Sequence, residues 1–249
     1  MPLLKSSILL LLMSLVTSAS AALTGQWSFD TLNDSVTSIA GAVSGGASIG
    51  GGQLNLTGTG GFSANSTGGL GGNGSFTVVM DISTTATSDQ TIFSYSPSGG
   101  STAGGDLRFF TLGNGNVRIE MSNGAGHNIS LAVPNINDGN THRVATVFDS
   151  SVGDSFYDVD VYVDGTFYDV TSGVDATVNL GGSGNPNEVS FGYQVHFDSN
   201  RPFTGSMDFV QIYDSALSGS TIDAIPEPSM LVLLSGGLAL IGMVKLRSR

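Results

Sequence analysis

Hydrophobic and polar residues alternate in short runs along much of this 249-residue chain. Phe76, Val78 and Met80, for example, occupy every second position of one such run. A period of two residues is typical of a β-strand, whose side chains point alternately to opposite faces. The pattern predicts strands at 75–82, 91–95, 107–112 and 117–121, the last of them directly after a Gly-Asn-Gly turn at 113–115.

The strands predicted farther along the chain differ in how many faces they bury. Within 142–149, the residues 144–148 are apolar except for Thr146, which indicates a strand buried on both faces. Val159, Val161 and Val163 alternate with polar residues, so this strand buries one face. Asp164-Gly165 then predicts a hairpin turn, with 167–170 as the returning strand.

A stretch rich in glycine, serine and threonine, 40–74, has the composition of a flexible linker. Its apolar residues nevertheless recur at strand-like spacing, so we expect short strands joined by tight turns. Helical periodicity is limited to about one turn at 218–224. The chain is therefore predicted to be all-β, with many short strands in two packed sheets.

The N-terminal 21 residues have the three parts of a secretory signal peptide. Lys5 supplies the positive charge, 8–16 form an apolar core, and Ala19-Ser20-Ala21 provides small residues for cleavage. We expect signal peptidase to cut after Ala21, so that the mature chain starts near Ala22. An uncleaved N-terminal helix is the alternative.

The C-terminal residues 225–249 carry an uncharged apolar run, 229–244, which ends on Lys245, Arg247 and Arg249. As a helix the run would extend roughly 24 Å, somewhat short of the roughly 30 Å hydrocarbon core of a membrane. Two preceding prolines stop the helix from continuing toward the N-terminus, and the basic end favours the cytoplasmic side. We therefore expect a transmembrane helix over 229–244.

Pro226-Glu227-Pro228, the short apolar helix with its Gly236-Gly237 pair and the basic end together resemble the PEP-CTERM sorting signal of Gram-negative bacteria. The resemblance implies an exosortase partner that removes the helix. The protein would be anchored transiently in the inner membrane and then transferred to the outer surface or extracellular matrix. A plain C-terminal membrane anchor is the alternative, and it also places the domain outside the cytoplasm.

Between these ends, 22–224 has the length of one β-sandwich domain, and it contains no cysteine. Burial, rather than disulfides, must therefore stabilise it. It has four arginines, no lysine and, counted through Glu227, 20 acidic residues, which gives a net charge of −16. Such a surface disfavours nucleic acid and anionic lipid as partners, and it either attracts divalent cations or simply keeps the protein soluble.

Five stretches, in order, resemble the laminin G-like jelly roll of the concanavalin A-like superfamily. They are 25–30, where the sole tryptophan, Trp27, would lie in the core, then 75–82, 138–149, 159–165 and 203–218. Thr141 stands where the family usually has an aromatic residue. The resemblance implies the fold, but not one function, because lectins, adhesion modules and enzymes share it.

Enzymes of the concanavalin A-like superfamily include glycosidases and polysaccharide lyases, but the sequence matches the catalytic residues of neither class well. Retaining glycosidases need two carboxyl groups roughly 5 Å apart, and those of this fold take them from two glutamates on one strand, whereas glutamate occurs here only at 120, 188 and 227. Asp158 and Asp160 are interpreted as part of an exposed acidic strand. Gln194-Val195-His196 resembles a short alginate lyase signature, but Arg118-Ile119-Glu120 is a poor match to the arginine motif of those enzymes.

Calcium is the metal that the resemblance favours, since laminin G-like domains often bind it through carboxylate and carbonyl oxygens. Asp30 and Asp208 are the candidate ligands, because they flank the paired terminal strands in the matching motifs. Two ordinary loop or strand-edge aspartates are the alternative. His127, His142 and His196 lack metal-ligand spacing, and we expect His142 to be structural.

The sequence thus predicts a non-catalytic surface or matrix protein that acts in adhesion or in binding extracellular glycans. Four tyrosines could stack on sugar rings, although aromatic rings in such domains more often fill the core or support loops: Tyr95, Tyr157, Tyr162 and Tyr193. A polysaccharide lyase or hydrolase and a purely structural matrix protein are the alternatives.

Overall fold

A computed structural model describes residues 21–66, 68–96, 105–122, 127–169, 177–180, 188–194 and 201–226. Ala19, Glu227, Pro228, His196 and the apolar run 229–244 lie outside these residues. Within the ranges that are described, no helix is long and apolar enough to cross a membrane.

The described residues form two antiparallel sheets and almost no helix. One sheet has eight strands, in the order β13-β12-β11-β6-β15-β4-β3, with β1 paired to β15; the other has seven, in the order β10-β9-β8-β7-β14-β5-β2. The strands are β1 (Leu23–Trp27), β2 (Gly41–Val43), β3 (Ser48–Gly50), β4 (Gln53–Thr57), β5 (Phe62–Ala64), β6 (Phe76–Ser83), β7 (Gln90–Ser96), β8 (Asp106–Thr111), β9 (Val117–Ser122), β10 (His127–Leu131), β11 (Thr141–Phe148), β12 (Val159–Val163), β13 (Thr166–Tyr168), β14 (Glu188–Phe191) and β15 (Thr204–Tyr213). A 3₁₀ helix, Phe156–Asp158, precedes β12, and one short α-helix, α1 (Gly219–Asp223), follows β15.

The main core lies between the sheets and is rich in aromatic side chains. Trp27 is fully buried there, with its ring 5.0 Å from that of Phe191 and 6.4 Å from that of Phe62, both edge-on. Phe62 and Phe191 stack on each other at 5.3 Å. Such aromatic pairs add to the large apolar area that each ring buries, so this cluster joins the first strand to the seven-stranded sheet.

A second apolar cluster covers the outer face of the eight-stranded sheet. Strands β6, β11 and β15 contribute Val79, Ala145, Val147 and Phe209, while Leu217, Ile222 and Ile225 come from the segment that contains α1. The resulting double burial explains why residues 144–148 are buried at every position. The C-terminal end of the domain is therefore part of the fold up to Ile225.

Arg143 connects the segment that contains α1 to the eight-stranded sheet. The Arg143 guanidinium contacts both carboxylate oxygens of Asp81, through Nε at 2.8 Å and Nη2 at 2.9 Å. Its Nη1 donates to the carbonyls of Ile222, at 3.2 Å, and Ile225, at 2.6 Å. One arginine thus connects β6, β11 and the residues after α1.

Most of the predicted elements are confirmed, and a few boundaries were wrong. The 40–74 stretch forms four short strands, β2 to β5, and Asp164-Gly165 makes the predicted turn with φ values of 48° and 74°. The opening strand ends at Trp27 rather than continuing to Asp30, because Phe29 adopts a left-handed φ of 56°. Strand β13 ends at Tyr168, and the sequence pattern had not predicted β10 or β14.

Candidate functional site

The outer face of the seven-stranded sheet carries several charged and hydroxyl side chains. On β9, Val117, Ile119 and Met121 face the core, so strand alternation turns Arg118 and Glu120 outward. The same alternation turns Asp106, Arg108 and Phe110 outward from β8, and Ser94 and Ser96 from β7. Charged side chains of neighbouring strands therefore share this face.

Three of the four arginines in the domain converge on one carboxylate of this face. Glu120 Oε2 lies 3.4 Å from Nη1 of Arg108, its cross-strand neighbour. Glu120 Oε1 lies 3.5 Å from Nη1 of Arg118 and 3.6 Å from Nη1 of Arg201, which precedes β15. We call Arg108, Arg118, Glu120 and Arg201 the arginine patch.

The members of the arginine patch differ in exposure. The side chains of Arg118 and Arg201 are 22% and 36% exposed, whereas Arg108 and Glu120 lie deeper, at 13% and 14%. Burial lowers the pKa of Arg108 from its ordinary value, and the nearby Glu120 and Asp106 carboxylates oppose that effect. Arg108 stays cationic, because guanidinium pKa values lie far above neutral pH.

Other contacts hold the two more exposed guanidiniums in place. Arg118 Nε donates to Ser130 Oγ at 3.1 Å, and its Nη1 lies 3.7 Å from Asp89 Oδ2. The Arg201 guanidinium carbon sits 5.5 Å from the centroid of the Phe110 ring, a cation–π contact. The two groups are thus oriented before any ligand arrives.

A row of buried polar residues adjoins the arginine patch. Ser94, Ser96 and Ser190 are each at most 4% exposed, and the carboxylates Asp106 and Glu188 are 1% and 8% exposed. Ser96 pairs directly with Glu188, while Asp106 lies on the opposite side of β7. Two strand spacings of about 4.8 Å separate the backbones of Asp106 and Glu188.

Gln194 lies beside the same face. Its side-chain amide is 7% exposed and donates to Thr91 Oγ1 at 3.0 Å. Thr91 pairs with Phe110, over which Arg201 packs. The structure therefore brings Gln194 to the side of the arginine patch, whereas His196, the other residue of the lyase-like signature, lies outside the described residues.

Most of the tyrosines proposed for sugar stacking pack against other side chains of the domain. Tyr95 is 1% exposed, and its hydroxyl donates to the carbonyls of Leu70 and Leu180, so its candidacy was wrong. Burial, with a smaller contribution from Asp106, raises the pKa of Tyr95 to about 12. Tyr162 packs on Phe167 at 5.5 Å, Tyr157 packs against the main core, and Tyr193 remains partly exposed.

The two calcium candidates lie against the same turn between β3 and β4. Asp208 occupies a bulge of β15, and its Oδ1 accepts a hydrogen bond from Gln53 Nε2 at 2.5 Å. Asp30 is exposed, accepts from Ser28 Oγ at 3.1 Å, and points Oδ1 toward Gly52, the neighbour of Gln53. No group of three or more His, Cys, Asp or Glu side chains in the described residues is placed to hold a metal. Backbone oxygens and water would therefore have to supply the other ligands of a calcium ion at Asp30 and Asp208.

The acidic strand predicted at 158–160 lines a cavity of about 310 Å³ on the outer side of the eight-stranded sheet. Asp158 has a structural role there, because its carboxylate accepts from the Ser155 backbone N–H in a capping box. Asp160 is less exposed than we expected, and burial, together with Asp169, Asp158 and Asp149, raises its pKa. These contacts do not indicate a catalytic pair.

His142 bridges two carboxylates at the other end of β11. Its Nδ1 lies 2.7 Å from Asp164 Oδ2 and its Nε2 lies 3.0 Å from Asp138 Oδ1. Asp164 also accepts from the Arg143 backbone N–H at 2.9 Å. The expected structural role is confirmed, since His142 links the turn before β11 to the β12–β13 turn.

Two antiparallel sheets that enclose an apolar core, with one polar outer face, define an all-β jelly-roll sandwich. A family model described as the concanavalin A-like lectin/glucanases superfamily, of the laminin G type, matches residues 56–223. The chain belongs to this family. No curated protein matches the sequence.

Several solved structures share the fold at low sequence identity. Domain 4 of AbnA, an extracellular arabinanase from Geobacillus stearothermophilus seen with arabinotriose, is 19% identical with a TM-score of 0.58, over 82% of this chain and 97% of that one. A botulinum neurotoxin type C structure, described as depending on ganglioside interaction for cell entry, is 13% identical with a TM-score of 0.56, over 82% and 50%. The CBM40 of a Ruminococcus gnavus sialidase, bound to sialyllactose, is 17% identical with a TM-score of 0.50, over 61% and 83%.

Proposed function

We propose that this chain is an exported surface or matrix protein whose concanavalin A-like domain binds glycans without catalysing a reaction. The observation that carries the proposal is the contrast between the two outer faces. An apolar cluster and the segment with α1 cover the eight-stranded sheet, whereas the outer face of the seven-stranded sheet carries the arginine patch, in which Arg118 and Arg201 are partly exposed. Polar groups that are fixed in position on a sheet face are suited to the hydroxyl and charged groups of saccharides.

The neighbouring structures support a glycan partner. Two of them hold oligosaccharides, arabinotriose in one and sialyllactose in the other. Because identity to both is below 20%, the likeness concerns the fold, and the binding residues must come from this chain.

Two features support export and sorting. The Ala22 backbone N–H donates to Asp214 Oδ1 at 3.0 Å, and β1 begins at Leu23, so cleavage after Ala21 would leave the first strand intact. At the other end, Ile225 is buried and Pro226-Glu227-Pro228 follows at once. An exosortase would therefore meet its motif directly beside the folded domain.

Calcium is proposed as a structural ion at Asp30 and Asp208. Both carboxylates face the β3–β4 turn, where an ion could connect the first and last long strands to that turn. Carboxylate and carbonyl oxygens are the ligands that calcium prefers.

A polysaccharide lyase is the second candidate, and the position of Gln194 favours it. The resemblance to alginate lyases implies that this glutamine would stabilise a substrate carboxylate and that His196 would assist proton removal. Gln194 lies on the arginine side of the sheet, where such a carboxylate would bind. Arg201→Gln would then reduce turnover as well as retention.

One experiment separates these functions. The full chain, purified in mild detergent, is applied to an array of neutral and acidic oligosaccharides with and without calcium, and both retention and cleavage are measured. We expect retention without cleavage. Cleavage of a uronate that is lost in His196→Ala would establish the lyase instead, and the absence of retention on every glycan would support a purely structural matrix protein.

A further inference from the structure

We propose that the arginine patch recognises an anionic group on a short saccharide, a carboxylate or a sulfate ester, through Arg118 and Arg201. The inference rests on the proposed glycan binding and adds the chemical class of the ligand. Arg118 and Arg201 contact the same oxygen of Glu120: their Nη1 atoms lie 3.5 Å and 3.6 Å from Oε1. The two guanidiniums therefore sit next to each other.

The patch has more donors than its own carboxylate can use. Each guanidinium carries five N–H donors in a planar fork, and a carboxylate offers about four acceptor sites. Glu120 divides its two oxygens among three arginines, and Asp89 Oδ2 lies 3.7 Å from Arg118 Nη1, the same nitrogen that faces Glu120. Arg118 and Arg201, the more exposed pair, can therefore direct donors toward an incoming anion, and planar forks match carboxylate or sulfate oxygens well.

Both arginines are held in advance of binding. Phe110 supports Arg201 from one side, and Ser130 accepts from Arg118 Nε. Glu120 acts as a positioning residue, because Arg108 in turn holds its other oxygen. A ligand would then lose less side-chain entropy on binding than it would at freely rotating arginines.

The charge of the whole domain limits the length of the ligand. Four arginines face 20 acidic residues, so a long polyanion would be repelled by most of the surface. At physiological salt the Debye length is about 8 Å, which screens distant acidic residues while leaving direct contacts in place. We therefore expect one acidic sugar, or a short acidic oligosaccharide, at the patch.

The test compares an acidic saccharide with its neutral ester and with a saccharide that carries a different anionic group. Binding of the full chain to trigalacturonate, to its neutral methyl ester and to a sulfated galactose oligomer is measured by calorimetry. We expect at least about tenfold tighter binding of an acidic form than of the ester, and Arg201→Gln and Arg118→Gln should each remove about tenfold of it. Asn55→Asp, an exposed position on the other sheet, changes the net charge by the same one unit and should leave binding unchanged.

Each other outcome decides a different claim. Equal binding of ester and acid would overturn the anionic inference while leaving glycan binding intact. If only the sulfated oligomer binds, the anion is a sulfate, and if only trigalacturonate binds, it is a carboxylate. Failure of all three ligands, in a chain that also retains nothing on the array, would overturn both proposals. Should Arg201→Gln lower the melting temperature sharply, Arg118→Gln provides the decisive comparison.

Discussion

Arg143 Nη1 donates a 2.6 Å hydrogen bond to the carbonyl of Ile225, the residue directly before the Pro226-Glu227-Pro228 motif. The same guanidinium pairs with Asp81, whose side chain is only 3% exposed. The stability of the sheet and the anchoring of the C-terminal segment therefore depend on one arginine.

Arg143→Met should destabilise the domain strongly, because it removes the cation that pairs with the buried Asp81 carboxylate. Breaking a buried pair from one side costs about 3–5 kcal/mol. Urea unfolding, followed by the fluorescence of the single tryptophan, gives this free energy. Arg118→Met is the matched control: its ion pairs are more exposed, and it should cost about 1 kcal/mol or less. Equal losses in the two variants would contradict the assigned role of Arg143.

The stability of the domain should depend on pH through His142. Burial alone would lower the pKa of His142, but hydrogen bonds to Asp164 and Asp138 outweigh it and raise the pKa. A raised pKa in the folded state means that the contribution is complete below about pH 6.5, the ordinary histidine value, and is lost as the pH rises through the folded pKa. The unfolding free energy of the wild type minus that of His142→Gln should therefore be larger at pH 5 than at pH 9.

Asp138, which accepts a hydrogen bond from His142, should make the stability of the domain depend on pH in the acidic range. Its pKa is lowered to about 2, first by the Asn140 backbone N–H and then by the hydrogen bond from His142. Its contribution is present above the ordinary aspartate pKa and is lost as the pH falls toward 2. Unfolding of Asp138→Asn should thus show a flatter pH dependence between 4 and 2 than the wild type, and identical curves would refute this assignment.

Calcium should raise the melting temperature if Asp30 and Asp208 hold it. An ion that binds only the folded state stabilises by RT ln(1 + [L]/Kd), so the shift must grow with calcium concentration. The full chain is heated with millimolar calcium or with chelator, beside Asp208→Asn. Asp154→Asn, which removes an exposed carboxylate elsewhere, serves as a control for general charge effects. A shift of the same size in Asp208→Asn would exclude this site.

Export predicts a defined N-terminus. Protein recovered from the surface of a Gram-negative host with exosortase should start at Ala22 and lack 229–244, as measured by mass spectrometry of the intact chain. Substitution of Pro226 and Pro228 by alanine should retain the C-terminal helix. Recovery of the unprocessed 249-residue chain from the wild type would contradict both sorting assignments.

The sequence predicted strands well where alternation was long. β12 alternates over five residues and is followed by Asp164-Gly165, and β11 contains the mainly apolar run 144–148, so both could be located from the pattern. β14 also alternates, but its four residues are too few to stand out beside glycine-rich neighbours. The end of β1 depends on the left-handed backbone at Phe29, which composition does not reveal.

The candidate site was less predictable, for a physical reason. Arg118 and Glu120 occupy alternate positions of one strand, so their shared face could have been inferred. Arg201 reaches Glu120 only because the sheet brings the segment before β15 next to β8 and β9. Convergence of that kind depends on the register of several strands, which one sequence does not determine. Tyr95 was wrong as a candidate for a related reason, since its side chain faces the core.

Hydrogen–deuterium exchange of the full chain, with and without an oligosaccharide that it retains, tests the central claim most directly. Binding at the arginine patch should slow exchange in β8 and β9, and these effects should disappear in Arg201→Gln. Strands β11 and β12, which belong to the other sheet, should be unaffected. Protection confined to the eight-stranded sheet, or protection that survives in Arg201→Gln, would contradict the account.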